Sequence, residues 1–362
     1  MPPDVPEQSP RASRRLGHHP RQTIQEVLVD LAGSVTHDLD QDHYGTGDVI
    51  ERLEQRVAGL VGKEAAVLMP SGTMAQQIAL RILCDRAGIH RVAFHPTCHL
   101  ELHERGAYRE LHGLSSALLG TSDRLFTIDD LEGLREPVAA ILFELPQREI
   151  GGYLPEWDDL QSMTRWARER SIKLHLDGAR LWETKPYYGK EYAEIADLFD
   201  TVYVSFYKTL GGVAGAALAG SADVVDEARV WQRRHGGNLV HMYPLAVSAQ
   251  LGLDRHLGRM GEYHEKAVEI AAVLSSLPGV SVRPDPPHTN MMHVFLKGDL
   301  DRLNTAGRQM TEETGTELFG YLDETMVPGV QRFELTIGAA ALGFDGGEIR
   351  DLFTRLLEQA RG

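Results

Sequence analysis

The sequence predicts an α/β fold with a mostly parallel sheet covered by helices, followed by a smaller α+β domain. Three observations carry this. From residue 49 onward, segments of helical and strand periodicity alternate, the pattern of parallel strands joined by helical crossovers. After about residue 255 the alternation gives way to a helix–strand–strand–strand–helix run. The chain has 362 residues with 42% hydrophobic content, enough for one large core and a smaller companion.

Each element follows in order. Residues 1–22, MPPDVPEQSPRASRRLGHHPRQ, are rich in Pro, Arg and polar types and hold no apolar stretch. They read as a disordered tail rather than a secretory signal, with Arg11, Arg14 and Arg15 solvated rather than docked on an acidic partner. The large domain is expected over residues 23–255 and the small one over 256–362. VIERLEQRVAGLVG puts Val49, Leu53, Val57, Leu60 and Val61 at helical spacing. AAVLMP reads as a buried strand and TMAQQIALRILCDRAG as a helix. RVAFH and AAILFELP are strands, with SSALLG and a helix around DDLEGLRE between them. WDDLQSMTRWARERS is an amphipathic helix leading into the strand KLHLDG, and TVYVSFY and GAALAG complete the series. A linker is placed near GLDRHLGRMGEY, either open or crossed by helix. The small domain then runs from the helix and strand of HEKAVEIAAVLSSLPGVSVRPDP, through the strands MMHVFLKG and RFELTIG, to the helix EIRDLFTRLLEQARG.

Composition narrows the function. A net charge of −15 argues against a nucleic-acid partner or an anionic membrane surface. Cys84 and Cys98 are the only cysteines, so no disulfide framework is implied and a reducing cytoplasm fits. No apolar run has the length of a membrane-spanning helix.

Three stretches carry chemistry. In MPSGTMAQQ a strand ends and a helix begins, so Ser71, Gly72 and Thr73 put hydroxyls and backbone N–H groups at a helix N-terminus, an anion site by geometry and dipole, or simply an N-cap. In KLHLDGARLWE, Asp177 ends an apolar strand, where open sheets place ligands, and suits a cationic ring nitrogen. Arg180 offers a fork for a carboxylate or phenolate, or pairs with Asp177 at the turn. In VYVSFYKTLGGVAGAALAG, Lys208 ends a strand before a glycine-rich segment, where burial favours a neutral, nucleophilic amine; its bland alternative is a lysine reaching out of a strand end. Together, in the order phosphate, acid, lysine, these are the parts that hold pyridoxal 5′-phosphate. The helix start takes the phosphate, Asp177 keeps the pyridine protonated, and Lys208 forms a Schiff base with the aldehyde.

On these blocks the sequence resembles the threonine aldolase family of fold-type-I pyridoxal phosphate enzymes. YGTGDVIERLEQRVAGLVGKEAAVLMPSGTMAQQIAL, CHLELHERGA, LHLDGARLWE, VSFYKTLGGVAGAALAGS and QRFELTIG are similar to that family's blocks in the same order, from Tyr44 to Arg332. The resemblance implies a large domain with a mostly parallel seven-stranded sheet and a small C-terminal domain. It also implies a homodimer or homotetramer with shared active sites, and cleavage of a threonine-like β-hydroxy-α-amino acid to glycine and an aldehyde. By the same resemblance His99 stacks on the pyridine ring and assists proton transfer. Arg180 and Arg332 hold the substrate carboxylate, and Tyr44 lies near the site at a subunit interface. The sequence departs from the family in two places. The Arg-Ser-Asp-Thr segment before the Tyr-Gly motif is absent. ELPQREIGG also carries Gln147, Arg148 and Glu149 where the family often has a second histidine near the substrate hydroxyl. The base for that hydroxyl is thus left open among Gln147, His241 and water. Arg148 reads either as a contact for an acidic substrate side chain or, more simply, as the partner of Glu149.

Other readings are weaker. His95, Cys98, His99 and His103 cluster in HPTCHLELHE, but there is no HExxH and no metal is expected. GGVAGAALAG lacks GxGxxG, and no GxSxG elbow exists. A racemase, a β-eliminating lyase, a transaminase or a binding module that has lost its chemistry would use the same parts.

Overall fold

Seven apolar segments form one sheet: β1 (Ala65–Met69), β2 (Arg91–Phe94), β3 (Ser115–Leu118), β4 (Ala140–Glu144), β5 (Lys173–Gly178), β6 (Thr201–Ser205) and β7 (Ala216–Gly220). Their spatial order is β1-β7-β6-β5-β4-β2-β3. β3, β2, β4, β5 and β6 run parallel, and β7 runs antiparallel to both β6 and β1. This is the mostly parallel, seven-stranded sheet expected, and SSALLG supplies its edge strand. Every residue of β6 and β7 is buried, which is why both read as continuous apolar runs rather than alternating ones. The computed structural model describes residues 12–361. It divides into one unit of residues 23–258 and another of residues 259–361 with the described N-terminal residues 12–22.

Among the helices of the larger unit are α1 (Ile24–Gly33), α2 (Asp48–Leu60), α3 (Gly72–Ala87), α4 (His99–Leu102), α5 (Trp157–Glu169), α6 (Ala222–Arg234) and α7 (Tyr243–His256). On α2 the expected stripe of Val49, Leu53 and Val57 is buried. α3 begins at Ser71, whose hydroxyl accepts from the Met74 N–H, and ends at Gly88 in the left-handed conformation, φ +65°. Its Ala75, Ile78, Ala79 and Ile82 recur at helical spacing and pack on Val67, Met69, Tyr203 and Leu218. At about 1.5–3 kcal/mol per large apolar side chain, this face fixes the helix start against the sheet. α7 begins on a cap from elsewhere in the chain: the buried Asp42 carboxylate accepts from Met242 N–H at 2.8 Å and Tyr243 N–H at 2.8 Å.

The smaller unit has a four-stranded antiparallel sheet of β8 (Val280–Arg283), β9 (Met291–Lys297), β10 (Asp323–Glu324) and β11 (Val330–Thr336), in the order β10-β11-β9-β8. Helices α8 (Met260–Ser275), α9 (Leu300–Thr314) and α10 (Gly346–Arg361) accompany it. The division between the units, at residues 258 and 259, falls within GLDRHLGRMGEY, and helix runs through it: α7, a 3-10 turn at Leu257–Arg259 and α8 follow one another. The tail departs from expectation. Arg14–Arg15 pairs in parallel with Thr316–Glu317, and Leu16 is fully buried. Arg14 pairs with Glu348 at 2.6 Å and lies over the Phe344 ring, and Arg21 reaches Glu317 at 2.8 Å. Residues 12–22 are therefore structured, because their charges meet partners about 300 residues away, which local composition cannot show. Arg11 lies outside the described residues.

Candidate active site

Strand register builds the site. Glu144, Asp177 and Tyr203 are register partners at the carboxyl ends of β4, β5 and β6, so they form one row across three adjacent strands. Ligands of open parallel sheets sit at this edge. Asp177 is buried and accepts from the Ala179 N–H at 3.1 Å. Glu144 accepts from the His99 N–H at 3.2 Å, the Arg148 N–H at 3.1 Å and Gln147 Nε2 at 3.3 Å.

α4 brings His99 to this row. His99 Nδ1 is 2.9 Å from Glu104 Oε1, and the other Glu104 oxygen accepts from Gln77 Nε2 of α3 at 3.0 Å. Gln76, its neighbour on α3, donates to Asp177 and keeps its own Oε1 buried without a hydrogen-bond partner. Burial, with Asp177 alongside, pushes the Glu144 carboxyl up to about 8. Burial likewise raises Asp177, although His99 and the Ala179 amide oppose it. His99 is itself raised: burial works against its charge, but the Glu104 hydrogen bond and the Asp177 and Glu144 carboxylates outweigh that.

These shifts set a pH dependence. A carboxyl whose folded pKa exceeds its unfolded value binds its proton more tightly in the native state, so stability falls as pH rises between the two values. For Glu144 that window runs from 4.5 to about 8. His99 acts in the same direction, since the stability its imidazolium contributes is lost as pH climbs through its raised pKa. In cofactor-free protein, Glu144→Gln is expected to flatten the fall of Tm across this window. A variant whose Tm falls as steeply as that of the parent would contradict the assignment.

The start of α3 abuts the same row. A Cβ on Gly72 would overlap the Tyr203 hydroxyl, so glycine is required there by the buried tyrosine as well as by any anion. Ser71 is the N-cap, and Thr73 lies in the first turn. Lys208 follows β6 and is half-buried, with its ammonium 5.1 Å from the Tyr207 ring. The loop behind it folds back tightly. Lys208 C=O accepts from Gly211 N–H at 2.9 Å, and Phe206 C=O accepts from Gly212 N–H at 2.7 Å. A Cβ on Gly212 would sit 2.7 Å from the Phe206 oxygen, so the chain's own backbone already demands this glycine.

The other expected residues fall as follows. Arg180 is buried and pairs with Glu183 at 3.2 Å, a partner the sequence reading did not consider; Thr209 Oγ1 donates to the same Glu183 oxygen. Gln147 is buried after β4, against Glu144 and Thr97. Tyr44 occupies a left-handed backbone position, φ +48°, held by its N–H to Val240 C=O and by Asn238 Nδ2 on its own C=O. Arg332 lies on β11 of the smaller unit and donates to Asp323 at 3.2 Å. Arg148 pairs with Glu149 at 2.6 Å, the simpler of its two readings. His95 is engaged at both ring nitrogens, by Thr97 at 2.9 Å and the Arg124 carbonyl at 2.7 Å. Among the described residues no group of three or more His, Cys, Asp or Glu converges as a metal site. Glu144, Glu104, Gln76, Gln77 and Tyr203 were not anticipated. Only Glu144 carried a signal, as an acid ending an apolar strand in the manner of Asp177.

Three acidic side chains, Asp177, Glu144 and Glu104, thus surround one imidazole, and the raised proton affinity of Glu144 and Asp177 marks a pocket that favours added positive charge. A protonated pyridine nitrogen against Asp177 would supply it, and the helix start beside Tyr203 would suit a phosphate. The residues fit pyridoxal phosphate.

Comparison with known proteins agrees. Residues 32–297 match the beta-eliminating lyase family model. A Listeria monocytogenes protein provisionally designated an L-allo-threonine aldolase is 44% identical, with 96% of this chain and 97% of that one covered at a TM-score of 0.92. The low specificity L-threonine aldolase of Escherichia coli K12 is 29% identical over 70% of this chain and 76% of its own length. Low-specificity L-threonine aldolase 1 of Arabidopsis thaliana is 27% identical over 77% and 80%. The chain belongs to the β-eliminating lyase family, in its threonine aldolase branch, and is a pyridoxal phosphate-dependent lyase of fold type I.

Proposed function

We propose that this enzyme cleaves β-hydroxy-α-amino acids to glycine and an aldehyde, using the row at the ends of β4, β5 and β6 with Lys208. The observation that carries the reading is the buried Asp177, raised by desolvation beside Glu144, with His99 and the α3 start against it. Ser71, Gly72 and Thr73 take the cofactor phosphate, His99 the ring face, Asp177 the ring nitrogen and Lys208 the aldehyde carbon. Once bound, the cofactor supplies an electron sink for the bond broken at Cα.

The protein's own tasks are positional. Asp177 holds a proton at the pyridine nitrogen. The Lys208 amine would hold the aldehyde carbon and, when free, carry a proton at Cα. Arg180, with Glu183 fixing its guanidinium, and Arg332 bind the substrate carboxylate; Arg332 enters on the resemblance alone. Gln147 and Tyr44 line the substrate side. Orientation by these groups selects which Cα bond breaks.

We assign a homo-oligomer with shared sites. α1 exposes Ile24, Leu28 and Val29, beside a cavity of about 360 Å³ lined by Leu28, Leu31, Val35, Leu39, Pro244 and Val247. Sedimentation velocity is expected to show at least a dimer and Leu28→Lys to shift it toward monomer; a monomeric parent would sink the assignment. The site is cytoplasmic on this reading, consistent with two free, buried cysteines; among the described residues no helix is long and apolar enough to cross a membrane.

The deciding experiment incubates the holoenzyme with a panel of β-hydroxy amino acids and assays glycine and aldehyde together. Equal amounts of both are expected. An inverted amino acid would instead indicate a racemase, ammonia with a keto acid a β-eliminating lyase, transfer of the amino group to a second keto acid a transaminase, and bound cofactor without turnover a binding module. In the same assay Arg332→Ala should raise KM with cofactor content unchanged; loss of cofactor would mean that the residue is misplaced.

A further inference from the structure

We propose that His103, oriented by Glu149, is the catalytic base that takes the β-hydroxyl proton of the substrate. This rests on the aldolase reading and supplies the group that reading lacks. The loop after β4 hangs from the Asp177 row, since the Arg148 N–H donates to Glu144 at 3.1 Å. The same loop presents Glu149, whose Oε1 is 2.8 Å from His103 Nε2 and 2.6 Å from Arg148 Nη1. His103 follows His99 by one turn, and their rings lie 5.2 Å apart.

The chemistry of each neighbour narrows the choice. Gln147 is an amide, with no basic lone pair, and its Nε2 donates to Glu144 and Thr97. The Glu144 carboxylate already accepts from three donors. His99 also keeps one ring nitrogen, Nδ1, on a carboxylate, Glu104, but the cofactor ring face is assigned to it, and its raised pKa favours an imidazolium with no lone pair to take a proton. His241 has Nδ1 on the Asp42 carbonyl, in the Tyr44 loop. At His103 the Glu149 carboxylate can only accept, so the 2.8 Å contact places the proton on Nε2 and the lone pair on Nδ1, while Arg148 Nη1 lies farther from the same nitrogen, at 3.5 Å. The side chain is 40% exposed, open to a ligand, and Glu149 is backed by Arg148.

The step balances. The substrate O–H bond breaks toward His103 Nδ1, and its electron pair closes the aldehyde C=O. The Cα–Cβ bond breaks with its pair remaining on the Cα side, where a proton later completes glycine. Charge develops on an imidazolium that Glu149 stabilises.

The test separates this step from the rest of catalysis. Exchange of the glycine Cα proton with D2O needs the cofactor, Lys208 and Asp177, but no β-hydroxyl base. His103→Phe and His103→Ala holoenzymes are expected to lose about 10²–10⁴-fold in cleavage kcat, while glycine exchange stays within the same order of magnitude. Glu149→Gln should lower kcat with KM nearly unchanged, and Glu149→Asp should restore part of it. Cleavage surviving in the His103 variants, or cleavage and exchange falling together, would overturn the proposal and leave the aldolase reading intact. A parent enzyme that exchanges glycine but releases no aldehyde from any β-hydroxy amino acid would overturn both.

Discussion

Lys208→Ala is expected to abolish the absorbance of lysine-bound cofactor and to stop turnover. The lysine stands where the chain leaves β6, and its backbone is held independently of its side chain by the Gly211 and Gly212 hydrogen bonds. Phe206 before it and Leu210 after it are buried anchors. The alanine variant should therefore fold as the parent does, so that what it loses is chemistry. Loss of proton transfer at Cα alone is worth about 10²–10⁴-fold, and loss of the covalent attachment adds to it. An unchanged visible spectrum after reconstitution would show that another group holds the cofactor.

Asp177→Asn is expected to move activity and stability in opposite directions. The amide is nearly isosteric, and its oxygen can still accept from the Ala179 N–H. What disappears is a buried charge close to Glu144 and Glu104. In cofactor-free protein that relief is neutral or stabilising, because a buried charge short of partners costs more than a neutral group of the same shape. In the holoenzyme the pyridine nitrogen loses the anion that keeps it protonated, and kcat should fall by about 10²–10³-fold or more, as when other preorganised electrostatic contacts are removed. Glu144, relieved of its neighbour, should titrate lower. Near-normal turnover would exclude the role; a variant much less stable than the parent would mean that Asp177 is chiefly a structural acceptor.

The two variants exploit features that differ in how they could be read. Asp177 at the end of β5 and Lys208, three residues beyond the end of β6, were legible because the end of a strand is marked locally by a change from apolar to charged or glycine residues. Ser71 was legible because capping is a property of the helix it begins. Arg180 was only half legible: its charge was apparent, but Glu183 lies three residues on, and their pairing depends on the 3-10 turn Leu181–Glu183. Residues 12–22 were misread for the complementary reason. Polar and basic composition suggests solvation, yet Leu16 is buried, Arg14 meets Glu348 and the Phe344 ring, and Arg21 meets Glu317, all about 300 residues away in the chain.

By itself, then, the sequence determined the alternating architecture and the order of helix-start, acid and lysine segments that points to the cofactor, because periodicity, capping and strand termination act over a few residues. Only the tertiary structure decided that Glu144 stands beside Asp177, that Gln77 and Glu104 brace His99, and that His103 meets Glu149. Those pairings depend on strand register and on loops returning from distant parts of the chain. Their electrostatics depend on burial, which no short window of sequence contains.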